Sequence, residues 1–92
     1  MTNDMRLSFT TNGWDDYLYW QSTDPKLLQR INELLKDILR HPFEGIGKPE
    51  PLKGDHRGFW SRRITHEHRI VYTLAGKGDD QTVIVTQCRF HY

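Results

Sequence analysis

Residues 58–74 of this chain read GFWSRRITHEHRIVYTL, and the spacing of the apolar side chains within them decides the fold. Trp60, Ile64, Ile70, Tyr72 and Leu74 all fall on even positions. Successive side chains of an extended chain point to opposite faces, so residues of one parity share a face. The segment divides into two strands, 59–65 and 69–74, around the short connection His66-Glu67-His68. An odd-length connection keeps even residues opposite even residues. The apolar set then faces a helical layer, while Arg63, Arg69, Val71 and Thr73 share the other face. Arg63 and Arg69 are expected as diagonal neighbours, roughly 7–8 Å apart at the backbone, within reach of one bridging phosphate. A further strand over 82–90 would add Gln87, Arg89 and His91 to the polar face, with Cys88 and Phe90 on the apolar one.

Upstream lies the helical layer. Asp24 is placed to cap a helix that starts at Pro25, where the missing amide proton costs nothing. Leu27, Leu28, Ile31, Leu34, Leu35, Ile38 and Leu39 follow the three-and-four spacing of one buried face. Pro42 disfavours helical geometry at His41, so this helix ends near Arg40. An earlier helix, capped by Asn12 or Thr11, would stack Trp14, Tyr17, Leu18 and Gln21 as a stripe. The alternation over residues 6–10 predicts a short first strand, and Met1 to Asp4 read as a loose extension. Residues 42–58 are rich in proline and glycine and form an ordered-looking loop; Gly76–Gln81 reads as a polar, mobile one. The expected fold is α+β: one small domain over residues 1–92, two N-terminal helices packed on a twisted antiparallel sheet.

Composition bounds the function. Ninety-two residues allow a single domain. With 36% hydrophobic and 27% charged residues the chain reads as soluble and globular, and no apolar run approaches the roughly 20 residues of a membrane helix. One cysteine, Cys88, excludes an internal disulfide and a multi-cysteine zinc site, and suits a reducing cytoplasm. A net charge of +1 is not that of a bulk nucleic-acid binder, but the charge is unevenly spread. Residues 1–46 hold five Lys/Arg against seven Asp/Glu, and residues 47–92 hold eight against five. The C-terminal half therefore builds a basic face.

That half also carries the candidate chemistry. Arg63 and Arg69 have planar forks that match phosphate oxygens and stay charged at working pH. Glu50, held between Pro49 and Pro51, is the only acid from Lys48 through Gly54 and can accept a proton from a ribose 2′-hydroxyl. His91 can protonate a leaving oxygen, and Tyr92 can stack on a base or donate to phosphate. Lys48 and Arg62 are further candidates for contacting substrate. Each has a plainer alternative: surface ion pairs for the arginines, a solvated loop acid for Glu50, a frayed end for His91. His41, His56, His66 and His68 read as surface residues, and the last two lack a third ligand at metal-binding spacing. No metal site and no cofactor are expected.

Residues 14–21 (WDDYLYWQ), 42–45 (PFEG), 47–53 (GKPEPLK), 58–65 (GFWSRRIT), 67–72 (EHRIVY) and 88–92 (CRFHY) together resemble the YoeB toxins, in the Txe branch of the RelE-like superfamily. The resemblance spans the chain from Met5 onward. It implies a microbial-RNase-like domain acting as the toxin of a type II toxin–antitoxin pair, one that cuts mRNA in the ribosomal A site. It places the general base on Glu50, the general acid on His91, phosphate stabilisation on Lys53, Arg63 and Arg69, and substrate orientation on Tyr92. It also implies a homodimer and a YefM-type antitoxin. The longer 76–81 loop and the extra N-terminal residues depart from the family pattern, as does Phe90, where tyrosine is expected. The residues alone leave a second reading open: a non-cleaving module that blocks the ribosome or another target such as gyrase. A third is a structural dimer with an arginine-rich face.

Overall fold

Asp24 closes one helix and opens the next. In the computed structural model, which describes residues 5–91, α1 runs Thr11–Thr23 and α2 runs Pro25–Arg40. The Asp24 amide donates to the Trp20 carbonyl at 2.9 Å, and its carboxylate accepts from the Leu27 amide at 3.2 Å. The chain thus turns in one residue, and the two helices lie side by side over the sheet. Met1 to Asp4 and Tyr92 lie outside the described residues.

α2 buries Ile31, Leu34, Leu35 and Ile38, with Leu27, Leu28 and Leu39 partly buried beside them, and it ends at Arg40 as its spacing predicts. α1 differs from expectation. Thr10, not Asn12 or Thr11, caps it, accepting from the Gly13 amide at 3.1 Å. Its buried residues are Gly13 and Trp20. Trp14 and Leu18 of the expected stripe stay 46% and 39% exposed, with Trp14 stacked on Tyr17 at 5.7 Å. Gly13 is the reason: it lies so close to the Val85 carbonyl that a Cβ there would collide with it. Helix and β-strand backbone meet at that point, and the two residues seven apart become the contact line.

The sheet holds β1 (Arg6–Phe9), β2 (Glu50–Pro51), β3 (Trp60–Arg63), β4 (Arg69–Lys77) and β5 (Asp80–Gln87), in the order β1-β5-β4-β3-β2. It is antiparallel except at one edge, where β1 runs parallel to β5. Parallel pairing needs a long connection, and both helices lie between these two strands. Residues 76–81 are not a mobile loop. Gly76 pairs with Gln81 and Lys77 with Asp80, so β4 and β5 continue to a two-residue turn at Gly78-Asp79. The polar composition there belongs to an exposed hairpin tip. Among the described residues, no helix is long and apolar enough to cross a membrane.

Strand parity holds through β3 and β4. Ile64, Ile70 and Tyr72 are buried against the helices, with Trp60 and Leu74 packed at the margin. In β5 the inward residues are Val83 and Val85, opposite Leu74 and Tyr72. Register then jumps: Tyr72 faces Val85 while Val71 faces Gln87, leaving Thr86 as the extra residue of a bulge. The inward side consequently passes from odd residues to the even Cys88, whose thiol is pushed up to about 12 by burial.

One inward residue is charged. Arg62 lies between Trp60 and Ile64 on the helix-facing side and is fully buried. Its guanidinium donates to Asp37, to the carbonyls of His41, Glu44 and Ile46, and to the Tyr72 hydroxyl. Arg62 is therefore not a substrate contact, contrary to the sequence expectation: parity turns it inward and these acceptors enclose it. The hydrogen bond from Arg62 holds the Asp37 carboxyl below the usual carboxylate range.

Replacing Asp37 by Asn leaves the buried guanidinium without its counter-charge and should cost about 3 kcal/mol, read as a lower melting temperature at neutral pH. Because Asp37 binds its proton more weakly folded than unfolded, its contribution is complete above the unfolded carboxylate range of about pH 4 and is lost as pH falls through the lower folded value. Asp37→Asn should accordingly flatten the acid limb of a pH–stability curve. Gly13→Ala should destabilise by about 1–3 kcal/mol in chemical denaturation, since the helix must lift off β5.

Candidate active site

The face of the sheet away from the helices carries a concavity of about 270 Å³ lined by Lys48, Pro49, Glu50, Ser61, Arg63 and Arg69. Strand pairing explains this set. Glu50 on β2 pairs with Ser61 on β3, and Arg63, two residues on, shares Ser61's face and pairs with Arg69 on β4. The two arginines are direct cross-strand partners rather than diagonal ones, because the connection is the five residues 64–68, centred on His66 rather than on Glu67. Ser61, 2% exposed, floors the cavity; its pairing with Glu50 becomes visible only once β2 is recognised as a strand.

Like charges directly opposite each other repel, so Arg63 and Arg69 need compensation. Arg69 is held by three backbone acceptors: its Nη1 donates to the carbonyls of Thr65, His66 and His68 at 2.8–3.1 Å. That arrangement fixes the side chain before any ligand arrives. Glu50 supplies negative charge across the same cavity. The Arg63 amide donates to Gly47 at 2.7 Å, which brings the following segment, Lys48-Pro49-Glu50, to the rim. Lys48 takes φ +52°, a left-handed conformation that costs an ordinary residue about 1 kcal/mol or more.

The other expected residues are placed less centrally. Lys53 is exposed, beyond β2, and does not line the cavity. His91 is exposed beyond β5; the Arg69 amide donates to the Phe90 carbonyl at 3.1 Å, which sets the tail beside the start of β4. Arg89 does not join the arginine face: it turns back and lies 3.5 Å over the Tyr19 ring of α1. The alternation expected through Phe90 breaks because Phe90 has φ +66° and is 56% exposed. His68 is not a surface residue either. It is half-buried, with its ring 4.8 Å from Trp20 and 5.7 Å from Phe90. Nothing in its flanking sequence marks it, since its partners come from α1 and the tail.

A carboxylate sharing a cavity with two guanidiniums, that of Arg69 fixed by backbone acceptors, and with a lysine at the rim, can bind an anionic group and accept a proton beside it. Among the described residues, no three His, Cys, Asp or Glu side chains come together as a metal site.

The chain as a whole is similar to known proteins. The family model for the YoeB-like toxin of bacterial type II toxin–antitoxin systems matches residues 9–92. Toxin YoeB of Escherichia coli strain K12 is 54% identical over 88 residues, covering 96% of this chain and 100% of that protein. The solved YoeB/ParE toxin from Agrobacterium tumefaciens superposes with a TM-score of 0.91 at 56% identity, covering 96% of this chain and 100% of the other. The Staphylococcus aureus YoeB, solved as a dimer, is 45% identical with a TM-score of 0.83, covering 96% and 98%. In a heterotetrameric YoeB–YefM complex it matches at 43% identity and a TM-score of 0.82, covering 97% and 99%. The chain belongs to the YoeB-like toxins of bacterial type II toxin–antitoxin systems.

Proposed function

We propose that this toxin is a ribosome-dependent mRNA endonuclease that cuts the codon displayed in the A site and so halts translation in the cytoplasm. The observation that carries the reading is Glu50 facing Arg63 and Arg69 across one small polar cavity. Glu50 takes the proton from a ribose 2′-hydroxyl as that oxygen attacks the adjacent phosphorus. Arg63 and Arg69, with Lys48 at the rim and Lys53 reaching in from beyond β2, balance the charge growing on the phosphoryl oxygens. The phosphorus–5′-oxygen bond then breaks, and His91 protonates the departing oxygen. Tyr92 orients the substrate. The products are a 2′,3′-cyclic phosphate and a 5′-hydroxyl end. Arg69, held beforehand by three carbonyls, need not reorganise during the step, which is where such groups contribute most.

The modest net charge fits a catalyst that leaves the ribosome to hold the RNA. For partners, the Staphylococcus aureus structures support a homodimer and a YefM-type antitoxin. Exposed Leu7, Trp14, Leu18, Phe43 and Ile46 give apolar surface for such contacts.

In a purified translation system read by primer extension, Glu50→Gln and His91→Gln should each slow A-site cutting by about 100-fold or more. Arg63→Ala should cost about as much through lost charge stabilisation. Cutting at the wild-type rate by both Glu50→Gln and His91→Gln would remove this mechanism. Growth arrest that persists in the double variant with intact mRNA would favour the non-cleaving binder instead.

A further inference from the structure

Beyond β5 the tail that carries His91 has one backbone bond to a strand, from the Arg69 amide to the Phe90 carbonyl at 3.1 Å, and is otherwise held by side chains. The Cys88 amide donates to Asp16 at 3.0 Å, and its carbonyl accepts from the Trp20 indole at 2.7 Å. The Gln87 side-chain amide donates to the carbonyls of Arg89 and His91 at 2.9 and 3.0 Å. One further contact is of another kind. The Phe90 amide donates to Nδ1 of His68 at 2.7 Å. Only an imidazole nitrogen with a free lone pair can accept that hydrogen, so the ring carries its proton on Nε2. A second proton would set one N–H against another.

We propose that His68 is a pH-gated clasp for the C-terminal tail. With Nδ1 unprotonated it fixes Phe90, and with it the placement of His91 beside Arg69. Once protonated it gives up the Phe90 amide, and the tail is left on the Arg69 amide and the Gln87 side chain, with His91 less firmly placed. The proposal rests on the nuclease reading only where His91 is given a catalytic part. Phe90 sits at φ +66°, a conformation that persists only where neighbours impose it, so losing its amide bond removes a main reason for the bend. Charged and titratable groups of both signs surround the ring. From α1 comes the Asp16 carboxylate, which interacts with both His68 and Arg89. Arg89 from the tail and Arg69 from the adjoining strand carry positive charge, His66 and Glu67 flank His68 in sequence, and His91 follows Phe90.

Amide-resolved NMR of the full chain tests this, following the protection factor of the Phe90 amide as the His68 ring is titrated. In the wild type, protection of at least about tenfold should be present above the His68 transition and lost below it. His68→Asn places a non-titrating acceptor oxygen close to where Nδ1 lies and should keep protection at both ends of the titration. His68→Leu should lack it throughout. Protection that is unchanged across the wild-type transition, or that survives in His68→Leu, would overturn the clasp. Should His68→Leu fail to fold, the wild type and His68→Asn still decide. In ribosome-dependent cleavage, His68→Leu should lower kcat by about 100-fold, and His68→Asn should keep activity on acidification where the wild type loses it. Protection that behaves as expected without any change in cleavage would support the clasp and overturn the acid role of His91.

Discussion

A single buried guanidinium organises this protein. Arg62 is enclosed on the inner face of β3 and spends its donors on the C-terminal turn of α2, the loop that follows it and the Tyr72 hydroxyl of β4. A charge in that position is tolerable only while every donor is matched. Tyr72 completes the network by donating to Pro42 at 2.6 Å, and Asp37 accepts a second bond from the Ile46 amide at 3.0 Å. A proline- and glycine-rich segment that would otherwise wander is tied down at both ends.

The consequence for the site is geometric. With Arg62 committed inward, its neighbours Ser61 and Arg63 must point outward, where Ser61 floors the cavity and Arg63 faces Arg69. The same network ends the loop at Gly47, and three residues later Glu50 pairs with Ser61. The geometry of the candidate site and fold stability are coupled through adjacent residues of one strand: Arg62 supports from within the surface that Arg63 presents outside. The opposite end of the site has a lighter anchorage, in which Asp16, Trp20, Gln87 and His68 hold a tail that has one backbone bond to β4.

Much of this was legible in the residues. The α2 spacing, the caps at Asp24 and Pro25, and the parity of residues 60–74 place the helical layer and the arginine face without coordinates. The same parity would have flagged Arg62, which is even-numbered and sits between two inward apolar residues. An adjacent pair of arginines invites a shared role, whereas a strand divides them. Other features depend on tertiary partners that local pattern does not carry. The Thr86 bulge is a matter of register with β4, the approach of α1 depends on Gly13 meeting Val85, and His68 is defined by Trp20 and Phe90. The β4–β5 hairpin was misread for a simpler reason: its tip is polar because it is exposed, not because it is loose.

The account turns on one chemical claim, that Glu50 activates the RNA's own 2′-hydroxyl in a cavity whose cations hold the phosphate. The chemistry leaves its mark on the cut ends. Mass spectrometry of mRNA fragments from toxin-treated translating ribosomes should find 2′,3′-cyclic phosphate on the upstream fragment and 5′-hydroxyl on the downstream one. Upstream fragments ending in a free 3′-hydroxyl, with 5′-phosphate downstream, would mean that water attacked instead and would contradict the account.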